Sequence, residues 1–301
     1  MVKVETMDSR VVRILLEDVR ACYLVRGERT VLIDSGLPAD APDLRQGLGR
    51  LGLNASDLDA VVLTHVHADH AGGAGYLVED NPELKIYVHE KGAAHLHAPE
   101  RLNEGVRKAY GSRFDRVGFL HAVSPESLIQ PLRGADTIDL GSVVLRVLDA
   151  PGHAKHHVVL HDEASGALFS GDALGSRYEG LPNLVLSPPS DYDPEQAKRT
   201  IDEIRALHPK TIYFAHNGPY RLEGESFFDE LKAKHDLWVR TVEGIRSAHR
   251  QASVEEVIEL FLTALPELRH YPSQFFSFGL SVAGILNYLE RKERNHVLPA
   301  A

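Results

Sequence analysis

The hydrophobic positions of this 301-residue chain change their period along its length. Between Val11 and Ile33 they fall in short apolar and β-branched runs, Val11–Leu16, Ala21–Val25 and Thr30–Ile33, broken by polar turns at Glu17-Asp18 and Gly27-Glu28. That pattern predicts a three-stranded meander. Asp40 to Leu51 then places Leu44, Leu48 and Leu51 on one helical stripe. Further on, the pattern predicts a strand at Asp59–Leu63, a short helix at Gly72–Val78, a strand at Lys85–Val88 and a helix at Glu90–Leu96. Residues 98–127 keep no period and read as mixed and loop-like. Thr137–Leu140 and Val143–Leu148 flank Gly141-Ser142 as a hairpin, and Val158–Leu160 and Ala167–Phe169 follow as strands. After a long connection over 173–193, a helix is predicted at 195–207, with Ala197, Ile201, Ile204 and Leu207 on one face, then a strand at Thr211–Phe214. Loops of that length in a compact domain are usually functional or hold a short element.

From Glu223 the period is helical throughout. Leu231, His235, Trp238, Val242 and Ile245 share a stripe, with Trp238 read as a packing anchor. Ser253-Val254-Glu255-Glu256 is a capping box opening a helix from Val254 to Thr263, which Pro266 breaks. A last helix is predicted from about Phe276 to Arg291, with Leu280, Ala283, Leu286 and Leu289 turned inward. The expected organisation is a mixed α/β catalytic domain over residues 1–220 and a helical extension over 221–301 packed on it.

Composition narrows the class. At 43% hydrophobic residues the chain can bury a large core, and its net charge of −10 argues against a nucleic-acid partner, which normally meets a basic surface. Arg101, Arg107, Lys108, Arg113 and Arg116 give a local basic bias, read as a solvated face in preference to an anion site. His89, His95, His97 and His121 in that region read as surface or partly buried histidines. With Cys22 the only cysteine, neither a disulfide nor a thiolate metal cluster is expected. No apolar run reaches the ~18–20 residues of a membrane span, and the N-terminal MVKVETMDSR has no signal-peptide core. These features lead to the expectation of a soluble, cytoplasmic protein.

The chemistry concentrates at the ends of predicted strands. Val61-Val62-Leu63 runs into Thr64-His65-Val66-His67-Ala68-Asp69-His70, three histidines and an aspartate within six residues. Imidazole and carboxylate suit zinc, manganese or iron. The same order of strand, sharp turn and potential ligand recurs at Asp34-Ser35-Gly36, at Pro151-Gly152-His153, at Ser170-Gly171-Asp172 and at His216-Asn217-Gly218. Strand ends along one sheet edge can converge, so five separate segments point to one site.

These motifs, in this order over roughly residues 10–220, resemble the metallo-β-lactamase-fold hydrolase superfamily, in its glyoxalase-II-like and lactonase-like branch. The resemblance implies an αββα sandwich. It implies a first metal on His65, His67 and His153, a second on Asp69, His70 and His216, and Asp172 bridging the two. Asp34 matches an early aspartate that is usually structural. Thr64 and His157 would support the ligands from behind, and His156 stands where similar proteins have glycine and receives no role. The ligand set implies two divalent ions, zinc foremost and iron or manganese as alternatives. They would share a water whose pKa falls towards ~7, and Asp69 could shuttle a proton. The expected reaction is hydrolysis of an ester-like bond in a small molecule: a thioester, a lactone or a carboxylic ester. Alternatives are a persulfide dioxygenase using one iron on His65, His153 and Asp172, or phosphodiester hydrolysis on the same metals. Tyr178 and Tyr192, in the 173–193 connection, are candidate substrate contacts. The C-terminal helices could close the pocket or make a homodimer contact.

Overall fold

The computed structural model describes residues 2–178, 184–271 and 278–297. Two sheets form its centre. The first orders seven strands as β1 (Lys3–Thr6), β2 (Val11–Leu16), β3 (Arg20–Arg26), β4 (Thr30–Ile33), β5 (Ala60–Val62), β6 (Lys85–His89) and β7 (Ile129–Leu132). It is antiparallel from β1 to β4 and parallel from β4 to β7. The second sheet runs in the order β13 (Pro219–Arg221), β12 (Thr211–Phe214), β11 (Ala167–Gly171), β10 (Val158–Asp162), β9 (Val144–Asp149) and β8 (Thr137–Asp139). Within it only β11 and β12 are parallel.

Side-chain alternation explains the layering. Successive strand residues point to opposite faces. On β2, Val11 and Leu15 enter the space between the sheets, while Val12, Ile14 and Leu16 face outward. On β3, Tyr23 and Val25 point in, and Cys22 and Leu24 point out. Opposite them, Phe169 of β11 and Tyr213 of β12 point in, and Leu168, Ile212 and Phe214 point out. Both faces are apolar because both are covered. Helices α1 (Ala41–Arg50) and α3 (Ala74–Asp80) bury Leu44, Leu48, Leu77 and Val78 on the outer face of the first sheet. On the outer face of the second, α6 (Pro194–Arg205) shares one apolar cluster with α7 (Ser226–Ala248), α8 (Val254–Ala264) and α9 (Phe278–Val297). The result is the expected αββα sandwich. Trp238 of α7 is 1% exposed and meets Phe261 of α8 edge-on at 5.2 Å, so it anchors packing as expected.

The sequence reading needs correction over 98–127. This segment holds helix α5 (Glu100–Tyr110), which fully buries only Val106, with Leu102 and Tyr110 half-buried one turn to either side, a stripe too short to stand out among its charged residues. The five basic residues named there are all exposed, in keeping with a solvated face. His89 is buried rather than superficial: its Nδ1 accepts from the Lys91 N–H, and Nε2 lies 3.3 Å from Asp149. The short strands β1, β7 and β13 have too few apolar residues to be recognised in sequence. Leu181 and Pro182 of the long connection, and Phe275 and Phe276 at the predicted start of the last helix, lie outside the described residues. Among the described residues no helix is long and apolar enough to cross a membrane.

Candidate metal centre

The C-terminal ends of β4, β5, β11 and β12 reach one edge of the sandwich, and the β9–β10 turn joins them. Backbone bonds tie the two sheets together there: Val158 N–H donates to Thr64 O at 2.8 Å and Ala21 N–H to Ala215 O at 2.7 Å. Leaving β4, the chain places Asp34 at φ 57°, a left-handed conformation that Asp tolerates better than most residues. Its carboxylate accepts from the Thr64 N–H at 2.8 Å and from Thr64 Oγ1 at 2.9 Å, and lies 2.8 Å from His70 Nδ1. Thr64 Oγ1 is also 3.2 Å from His65 Nδ1. One consistent set of protons satisfies all four groups. His70 donates through Nδ1 to Asp34, His65 donates through Nδ1 to Thr64, and Thr64 donates to Asp34. Both imidazoles then present a bare Nε2 to the centre, as a carboxylate–histidine–metal arrangement requires.

Two sets of donors converge in front of this support. His65 Nε2 is 2.9 Å and His153 Nε2 3.0 Å from His67 Nδ1. Beside them, Asp69 Oδ2 is 3.7 Å from His70 Nε2 and 3.5 Å from His216 Nε2. Asp172 spans both sets. Its Oδ2 lies 3.7 Å from His153 Nε2, while Oδ1 lies 3.2 Å from His216 Nε2 and 3.6 Å from His70 Nε2. Ligand atoms of His65, His67 and His153, of His65, His70 and Asp172, and of Asp69, His70 and His216 each fall within 4.8 Å of one another, close enough to hold a metal ion.

The electrostatics differ between the sets. Burial pushes the pKa of His65 and His153 well down, and neighbouring histidines push the same way; His67 is also lowered by burial. These rings are neutral at neutral pH and ready to ligate. Burial also opposes a charge on His70, but Asp69, Asp34 and Asp172 outweigh it and raise its pKa well above the ordinary value. Burial alone would raise Asp172, yet His216 and His70 hold it well below the usual carboxylate range. Without a cation His70 therefore carries a second proton, on Nε2, in the place a metal ion would take. His70 Nε2 and Asp172 Oδ1 are buried with no hydrogen-bond partner. Buried unpaired polar atoms are costly, and a divalent cation satisfies both. The residues fit a metal.

Glycines shape the approach. At Gly171, φ is +48° and an added Cβ would lie 2.7 Å from both His157 Nε2 and Thr64 Oγ1. His157 accepts the Asp172 N–H at 3.1 Å, which fixes the backbone that carries the spanning carboxylate. His156 receives a place the sequence did not supply: its ring lies parallel to His65 at 6.2 Å, and burial lowers its pKa to about 3. Tyr178 is buried, and burial, then Asp172 and Asp69, raise its pKa and keep it neutral. Tyr192 lines a small cavity with His153 and Asp172, but its hydroxyl is 2.6 Å from His235 Nδ1 on α7. The sequence places His235 on the packing stripe of α7 and gives it no functional role, because it occupies an ordinary core position there. Its partner is 43 residues away. A histidine within an otherwise apolar stripe was the only signal.

The metallo-beta-lactamase superfamily profile matches residues 16–216. The chain belongs to this superfamily. It is 31% identical over 208 residues to a metallo-beta-lactamase fold-containing protein of Sulfurisphaera tokodaii, covering 67% of this chain and 74% of the relative. It is 31% identical over 227 residues to a hydroxyacylglutathione hydrolase of Cupriavidus taiwanensis, covering 71% and 70%. To an acyl-coenzyme A thioesterase of Bos taurus it is 33% identical over 192 residues, covering 55% of this chain and 62% of that protein. Members of the superfamily are mostly metal-dependent hydrolases, and the histidine and aspartate groups described here could hold such a metal.

Proposed function

We propose that this protein is a dinuclear metal-dependent hydrolase of ester-like bonds, thioesters foremost and lactones or carboxylic esters next. The observation that carries the reading is Asp172, whose two oxygens face different ligand sets. A carboxylate so placed suits a pair of ions better than one. In this reading His65, His67 and His153 hold the first ion, Asp69, His70 and His216 the second, and Asp172 both. Zinc suits the donors best, and iron or manganese also fits. Two such ions supply Lewis acidity, lowering the pKa of a shared water and polarising a scissile carbonyl. The chain's own residues orient and protect that chemistry. Asp34 and Thr64 fix the ring faces of His70 and His65, and His157 fixes the backbone of Asp172. Asp69 keeps 24% of its side chain exposed and stands at the solvent side, where a proton can leave. The two relatives named for hydroxyacylglutathione hydrolysis and acyl-coenzyme A thioester cleavage support the substrate class.

The test is metal analysis together with a panel of thioesters, lactones, aryl esters and phosphodiesters, run on zinc-, manganese- and iron-loaded protein. About two ions per chain with turnover of thioesters or esters is the expected result. One iron per chain with oxygen uptake on glutathione persulfide would overturn it. A His67→Ala variant that loses neither metal nor activity would overturn the site assignment.

A further inference from the structure

Behind the ligands His153 and Asp172 lies a cavity of about 10 Å³ lined also by Ser187, Tyr192 and His235. That is near the lower limit for one water-sized group. It therefore suits a single small polar substituent and not a ring or chain. His235 reaches it from α7 and is 4% exposed. Its Nδ1 lies 2.6 Å from the Tyr192 hydroxyl, while its Nε2 is buried with no hydrogen-bond partner among the described residues.

The proton positions follow from the surroundings. Burial lowers the pKa of His235 to about 3 and raises that of Tyr192 well above its ordinary value, so both are neutral at neutral pH. The Tyr192 hydroxyl has no other acceptor among the described residues, so the tautomer that pairs its hydrogen is the one in which the phenol O–H donates to Nδ1, 2.6 Å away. The imidazole's own proton then sits on Nε2. The neighbouring walls hold this geometry. The Arg291 guanidinium donates to Ser190 O at 2.8 Å and to Tyr192 O at 2.6 Å, fixing the loop that carries the tyrosine. The structure thus builds a buried, oriented N–H donor beside the metal ligands.

We propose that His235 is a specificity-determining residue: its Nε2–H binds an acceptor oxygen on the acyl part of the substrate, close to the scissile carbonyl. The substrate class is a short acyl ester or thioester carrying a hydroxyl or oxo oxygen at the α or β carbon. This inference rests on the hydrolase reading above.

The experiment uses the full-length, metal-loaded protein and matched thioester pairs, one member bearing a hydroxyl or oxo oxygen and the other a hydrogen or methylene in its place. Loss of one buried hydrogen bond predicts a wild-type preference in kcat/KM of roughly 10- to 100-fold for the oxygenated member. His235→Leu should collapse that ratio to within about 2-fold, mostly through the oxygenated substrate. His235→Gln, which keeps an N–H near the same place, should retain a measurable part of it. Tyr192→Phe should lower the ratio by freeing the tautomer. A wild type with no preference, or a folded Tyr192→Phe and His235→Gln that slow both members equally, would overturn the proposal. The free carboxylic acids of the same pairs, titrated by calorimetry, read the same contact without turnover. Absence of any ester hydrolysis would sink the hydrolase reading, whereas equal binding of the paired acids would sink the role of His235.

Discussion

Oδ2 of Asp34 lies 2.8 Å from Nδ1 of His70, and this contact decides which ring nitrogen is left for a metal. As acceptor, the carboxylate holds one proton on Nδ1 and leaves Nε2 as the nitrogen a metal ion would take. Asp34→Asn keeps a residue that tolerates the φ of 57° and can still accept from Thr64, but turns an amide N–H towards His70. The imidazole must then carry its proton on Nε2, the wrong side. The expected outcome is a fold close to wild type with metal affinity at the Asp69, His70 and His216 set reduced about 10- to 100-fold. Competition titration with a chelator checks it.

Gly171 separates two requirements that a larger residue cannot meet together. The backbone adopts φ +48° there, and a methyl group would press on both His157 and Thr64. Neither neighbour can give way without moving Asp172 or Asp34. Gly171→Ala is expected to cost roughly 2 kcal/mol or more of stability, combining strain with overpacking, and to lower the metal content. Gly105→Ala, where an added methyl meets nothing within 4 Å inside helix α5, serves as the contrast. It should gain up to about 1 kcal/mol from helix propensity alone. Denaturant unfolding of the two variants measures both.

Acid should destabilise the protein through its buried neutral histidines. Burial lowers the pKa of His157 and of His235 to about 3. Unfolded histidine titrates near 6.5. Between those values the unfolded chain binds more protons than the folded one. These two groups therefore contribute stability that is complete above about pH 6.5 and is lost as pH falls towards their folded values. With each binding close to one extra proton in the unfolded state, their combined slope approaches ~2.7 kcal/mol per pH unit around pH 4.5–5. His235→Gln should reduce the slope by about half of that amount. Denaturant titrations from pH 4.5 to 8 at fixed metal concentration would show it, and a slope unchanged by the substitution would refute the attribution.

How far the sequence was legible depended on how local each signal was. The turn from His65 to His70 announces itself because four donors fall within six residues. The αββα layering followed from the family resemblance those motifs carry; β2 and β11 agree with it, since they bury residues on both faces. Helix α5 was not readable, since its stripe of Leu102, Val106 and Tyr110 is only three residues long among charged neighbours. The pairing of Tyr192 with His235 and the orienting line from Asp34 through Thr64 to His65 depend on tertiary contacts. In both, side chains distant in sequence meet only when the layers assemble. His156 had no reading at all, because stacking on His65 leaves no mark on composition or spacing.

The wall of the cavity beside Asp172 depends on helix α9. A Cβ at Gly284 would lie 2.3 Å from Pro188 O and 2.4 Å from Pro189 O, so the helix backbone rests directly on the loop that leads to Tyr192. Arg291, two turns further along, donates to Ser190 O and Tyr192 O from the same helix. Gly284→Val should push the loop outward, and Arg291→Ala should release it. Neither residue supplies a donor to the ligand sets, so the metal content should stay at the wild-type value. Displacement of a substrate-contacting wall by about 1 Å can cost up to 10²-fold in catalytic efficiency. An increase in KM of roughly 5- to 20-fold is therefore expected for Gly284→Val, with a smaller change in kcat and a milder effect for Arg291→Ala. The partly exposed setting of Arg291 limits what its two hydrogen bonds contribute to about 1 kcal/mol in all. Steady-state kinetics on the preferred ester, with metal analysis of the same samples, separates this outcome from damage to the metal centre, which would instead lower kcat and metal content together.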